Sequence, residues 1–165
     1  MGGNTTTMTI DNDFTIASGS FNPNNHNLII KGNYSNSGTF TNSSKTVTFA
    51  ATDAGNTIAG NLSGTSKFYN LVFNGVAGAW SFTSNPAVEV ANDLTITNGT
   101  VTSTSGNLTV TGNYSNAGTF THNSGTMIFN ATDAGNTLAG TMSSTSSFYN
   151  LTFSGAAGAW SFTSN

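Results

Sequence analysis

A parallel β-solenoid of about eight coils, two or three short strands to a coil, is the fold class this sequence predicts. Three observations predict it: a long ungapped internal duplication, a finer repeat inside that duplication, and strand-length alternations bounded by Gly, Asn and Ser.

The duplication comes first. Residues 32–85 recur as residues 112–165 with 39 of 54 positions identical, a period of 80. It extends upstream, where Asn12-Asp13-Phe14-Thr15-Ile16 answers Asn92-Asp93-Leu94-Thr95-Ile96. The chain therefore divides into a leader at 1–5 and two units, 6–85 and 86–165, expected to form one continuous rod of four coils each.

Each unit divides again, into segments of 19, 19, 21 and 21 residues that begin in the second unit at Val88, Asn107, Thr126 and Ser147. All four place one large apolar residue after a turn-like pair, at Val101, Phe120, Leu138 and Trp160. Stacked coils would set these four in one core column, with Phe21, Phe40, Ile58 and Trp80 repeating it in the first unit.

Within the segments lie the alternations VEV (88–90), LTI (94–96), LTV (108–110) and MIF (127–129). A period of two over so few residues describes strands with one face inward, and helical periodicity is absent. Antiparallel hairpins use the same turns, so a tandem pair of β-sandwich adhesion domains stays open as the alternative fold.

Composition agrees with a rod that is polar without being ionic. Thr (29), Asn (24) and Ser (21) dominate, only nine residues are charged, and 12 Phe, 4 Tyr and 2 Trp supply a core. A net charge of -3 and three lysines without an arginine exclude phosphate-backbone binding, so no nucleic-acid partner is expected. The absence of cysteine rules out a disulfide framework and thiolate metal sites. No apolar run approaches the roughly 20 residues of a membrane span, and MGGNTTTMTI lacks the pattern of a secretory signal. No membrane insertion is expected, and any signal or anchor is expected outside this chain.

The string GNLTVTGNYSNAGTFTHNSGTMIF (106–129) resembles the repeats of giant secreted bacterial surface proteins of the filamentous-haemagglutinin and autotransporter-adhesin type. The likeness covers the chain from about residue 8, on a motif of low complexity. It implies a right-handed parallel β-helix acting as a stalk or adhesive fibre at the cell surface or outside the cell. It implies no catalytic residues.

Asp53 and Asp133 lie in the twice-repeated ATDAGNT, where one carboxylate per unit is too few for calcium and a backbone-satisfying turn fits better. Asp11-Asn12-Asp13 is richer, but its counterpart Ala91-Asn92-Asp93 loses a carboxylate. The remaining acids, the lysines 31, 45 and 67, and His26 and His122 are scattered, so neither paired-acid catalysis nor a Ser-His-Asp arrangement is indicated. No catalytic, metal or cofactor site is expected.

Thr-x-Thr pairs such as Thr39/Thr41, Thr100/Thr102 and Thr119/Thr121 suggest an ice-binding ladder. Continuing that column through Thr137/Ala139 and Ala159/Ser161 breaks it halfway through each unit. Trp80 and Trp160 suit sugar stacking, yet their column places them in the core. Sequons at Asn33, Asn98, Asn107, Asn113 and Asn150 are expected by chance in such a composition.

The function expected is a structural repeat module of an extracellular adhesin or fibre, with a glycan- or ice-binding solenoid face as the alternative. The sequence shows no capping element at either end and stops in mid-coil at Asn165, so the terminal coils are expected to expose strand edges and to self-associate head to tail.

Overall fold

The computed structural model describes residues 6–83 and 87–163. The leader at 1–5, the unit boundary at 85/86 and the terminal Asn165 lie outside the described residues.

The chain winds in turns of three faces. The first turn carries β1 (Thr6–Ile10), β2 (Phe14–Ile16) and β3 (Ser20–Phe21), and the second β4 (His26–Ile30), β5 (Tyr34–Asn36) and β6 (Thr39–Phe40). In the third, β7 (Thr46–Phe49) and β8 (Asn56–Gly60) are followed by a 3-10 turn at Gly64–Ser66. In the fourth, the long β9 (Asn70–Thr83) bends across two faces and β10 (Ala87–Val90) takes the third. The fifth repeats this plan with β11 (Leu94–Thr102) and β12 (Asn107–Val110). Then come β13 (Tyr114–Asn116), β14 (Thr119–Thr121) and β15 (Thr126–Phe129), and after them β16 (Asn136–Gly140), a 3-10 turn at Ser144–Ser146, and β17 (Asn150–Phe153). β18 (Trp160–Thr163) opens an eighth turn.

Every strand pair among the described residues is parallel, and the first face runs unbroken as β1-β4-β7-β9-β11-β13-β16-β18. The chain is thus a β-solenoid of about seven turns, each bonded to the turns beside it at the ~4.8 Å spacing of paired strands. Pairing crosses from the first unit to the second, through Leu71 with Leu94 and Phe68 with Val90, which excludes two self-contained sandwiches.

The turns are longer and less uniform than the sequence segments imply. The axial neighbour lies 20 residues on at Thr6↔His26, 19 at Leu28↔Val47, 24 at Thr46↔Asn70 and 23 at Leu71↔Leu94. The 24-residue step takes in the connections 50–55 and 61–69, and the 23-residue step takes in 74–79, where β9 bends between two faces. One unit consequently fills eleven faces, three turns and two-thirds, instead of four coils. β10, the counterpart of β1, therefore lies on the third face, and the first half of β11, the counterpart of β2, lies on the first.

This offset corrects the single core column. Val101 does pair with Phe120, and Phe21 with Phe40. Leu138, however, pairs with Tyr114 and Phe162, Ile58 with Tyr34 and Phe82, and Trp160 with Asn136. Val101 and Phe120 fall on the second face and Leu138 and Trp160 on the first, because the intervening loops differ in length.

All three faces still feed one core. Alternation buries every second side chain, as in β7, where Val47 and Phe49 are buried between half-exposed threonines. Phe49 stacks on Phe73 at 5.5 Å, and Tyr34 meets Phe40, Phe49 and Phe68 edge-on or tilted. The second unit repeats the set around Tyr114 with Phe120, Phe129 and Phe148. Each such side chain contributes about 1.5–3 kcal/mol on burial.

Close stacking also dictates backbone chemistry at the corners. Gly60 has φ +94°, and a Cβ there would stand 2.0 Å from the Asn36 carbonyl oxygen. Only glycine fits that position.

Candidate functional surfaces at the two ends

The corner residues explain where the polar side chains go. Asp13 Oδ1 accepts the backbone N–H (2.8 Å) and the side-chain amide (2.9 Å) of Asn33, and Asn33 Oδ1 accepts from Thr57 N (2.8 Å) and Oγ1 (2.9 Å) one turn further on. Asp93, Asn113 and Thr137 repeat this staircase. The bond from the Asn33 backbone, seconded by its amide, holds the Asp13 carboxyl below its ordinary range.

The acidic residues and histidines are spread along the rod. Asp53 and Asp133 each accept the amide of Asn56 or Asn136 three residues on, a local turn. Asp11 pairs with Lys31 at 2.7 Å on the exposed surface, so the acids of Asp11-Asn12-Asp13 face the next turn and do not converge. Among the described residues no group of three or more His, Asp or Glu side chains could hold a metal ion. His26 Nδ1 lies 3.0 Å from the Pro23 carbonyl, whereas His122 Nδ1 accepts from Ser124 N and its ring lies over Tyr149.

The threonine ladder is shorter than its sequence column. Thr100/Thr102 pair with Thr119/Thr121, but the next layer of that face is the 3-10 turn Ser144–Ser146, and Thr137/Ala139 lie on another face. Trp80 is buried, and Trp160 is half-buried against Phe129 and Phe153. Burial pushes the Tyr34 and Tyr114 phenols well above their ordinary value. An open groove of about 250 Å³ on the third face is lined by Lys67, Glu89, Thr109, Thr111 and Asn130 among others, without an aromatic ring.

The most distinctive surfaces are the two ends. Leu151, Phe153 and Phe162 are 41 %, 47 % and 69 % exposed, whereas their counterparts Leu71, Phe73 and Phe82 are 0 %, 0 % and 5 % exposed. At the other end Met8, Phe14 and Phe21 are exposed or half-buried, while Val88, Leu94 and Val101 are buried. The NLTF of 150–153 and the NLVF of 70–73 look alike as sequence. Apart from Val72 against Thr152, their place in the stack separates them.

No protein-family model, curated protein or solved structure matches this chain. No helix among the described residues is long and apolar enough to cross a membrane.

Proposed function

We propose that this chain is a structural repeat module, a stiff segment of an extracellular adhesin or fibre that extends by stacking further turns and associates end to end. The observation that carries this reading is the axial pairing that runs without interruption from one 80-residue unit into the next. Because every hydrogen-bonded ladder lies along the rod, adding units adds reach without demanding a wider core. A surface of Thr, Asn and Ser with few charges keeps the rod hydrated and limits repulsion between neighbouring rods.

The resemblance to secreted bacterial surface repeats supports the extracellular assignment. The experiment is an array series: chains of two, three and four units, imaged by electron microscopy or sized by X-ray scattering. Each added unit is expected to lengthen the particle by about 18 Å, at roughly 4.8 Å per turn, with no change in width. Beads joined by flexible linkers would overturn the reading. Export of the parent protein to the cell surface is tested by protease accessibility on intact cells, with complete protection as the contrary result.

A further inference from the structure

The junction between the two units shows how one end of this fold covers the other. There β9 receives β11, with Leu71 against Leu94, Phe73 against Ile96 and Trp80 against Val101, while Phe68 bridges to Val90. Leu71 N donates to Asp93 O at 2.9 Å, and Asn92 Nδ2 donates to Asn70 Oδ1 at 2.8 Å. By the period of 80, the covered residues Leu71, Phe73 and Trp80 recur as Leu151, Phe153 and Trp160 at the carboxy-terminal end. The covering residues Leu94, Ile96 and Val101 recur as Phe14, Ile16 and Phe21 at the amino-terminal end. Each end of the rod thus carries one half of an interface that the same molecule already makes internally.

We propose that a second copy of this chain docks on the carboxy-terminal end in the register of that junction, Phe14 on Leu151, Ile16 on Phe153 and Phe21 on Trp160. This rests on the end-to-end reading above and specifies its geometry.

Four further observations favour a second copy as the occupant. The polar pair of the junction is retained, since Asn12 and Asn150 stand where Asn92 and Asn70 bond. No charge is desolvated at the carboxy-terminal end, because 134–163 contains no Asp, Glu, Lys, Arg or His. At the amino-terminal end the two carboxylates are engaged with the second turn, Asp11 with Lys31 and Asp13 with Asn33, away from the docking face. Strand continuity points the same way. β9 and β11, paired on both sides, run through Asn70–Thr83 and Leu94–Thr102, whereas the end copies break into β17 and β18 and into β2 and β3. Docking supplies the missing neighbour.

The test uses the full chain, which has no cysteine of its own. Thr15 and Thr152 are exposed counterparts of the paired Thr95 and Val72, so docking would bring their Cα atoms to roughly 5 Å, within disulfide reach. Thr15→Cys and a mass-tagged Thr152→Cys protein are mixed and oxidised. Mixed dimers are expected to outnumber both same-variant dimers, and to form at least tenfold faster than those of Thr15→Cys with Ser154→Cys, two residues out of register. Preference for Ser154→Cys, or for same-variant dimers, overturns the proposed register.

Light scattering of the wild-type chain separates the two levels of the argument. Mass is expected to rise with concentration, and Leu151→Lys, at an exposed site, is expected to abolish the rise while keeping the β-type circular dichroism. Constant monomer mass overturns the end-to-end reading together with its register. Mass that rises without the Thr15–Thr152 cross-link, or that survives Leu151→Lys, overturns the register alone.

Discussion

Leu71 and Leu151 hold the same position in the two units, each paired to the turn before it, yet Leu94 lies across Leu71 in the next turn and the described residues place no following strand beyond Leu151. Identical side chains in closely similar sequence thus differ in burial chiefly through what the following layer provides. Leu71→Ala is expected to cost about 2–5 kcal/mol, as buried leucine truncations do, and Leu151→Ala under about 1 kcal/mol. Urea denaturation at low protein concentration checks this. Equal losses at the two sites would refute the layer argument.

Glycine at position 60 answers to space as well as to torsion. Gly55 also has positive φ (+91°), but nothing lies within 4 Å of a Cβ there, whereas at Gly60 the Asn36 carbonyl is in the way. Gly55→Ala should lose only about 1 kcal/mol for the left-handed backbone. Gly60→Ala should lose several times as much or fail to fold. Thermal melting of the two variants side by side gives the comparison, and similar melting points would contradict it.

Ser66 and Ser146 act as backbone substitutes inside the rod. Both are buried, and their Oγ atoms accept the N–H of Phe40 and Phe120 at 3.1 Å, standing in for a strand carbonyl where the 3-10 turn interrupts the ladder. Ser66→Ala orphans a buried donor and should cost about 1–3 kcal/mol. Ser66→Thr tests whether the hydroxyl oxygen suffices. An alanine variant as stable as wild type would show the N–H is satisfied otherwise.

Acid sensitivity should trace in part to the corner staircase. The Asp13 carboxyl titrates below its ordinary range because it accepts from Asn33, so its contribution is fully present above the unfolded-state carboxylate pKa. That contribution is lost as pH falls through the depressed folded-state value. The melting-temperature difference between wild type and Asp13→Ala is therefore expected to hold at neutral pH and to shrink below the usual carboxylate range. A difference independent of pH down to strong acid would assign the effect to packing.

The solenoid was legible because its signals are local: two-residue alternation in segments such as Leu108–Val110 and turn chemistry at Asn and Gly need no knowledge of the partner strand. The vertical alignment was less legible. Leu138 and Trp160 follow turn-like pairs just as Val101 and Phe120 do, but loop length, not motif, decides which face each one reaches. Which side chains the two ends expose was less legible for a related reason. Leu151 and Phe153 match Leu71 and Phe73 letter for letter, and exposure belongs to the layer above, which composition and spacing do not encode.

The eleven-face unit gives an extended array a threefold screw symmetry. Each successive unit is displaced by a third of a revolution, so every outward loop, including the exposed Val76 and its successors, returns to the same azimuth only after three units, about 53 Å along the axis. Such a shaft has no front or back. Whatever binds its sides meets equivalent sites from any direction of approach, in a spiral rather than a stripe.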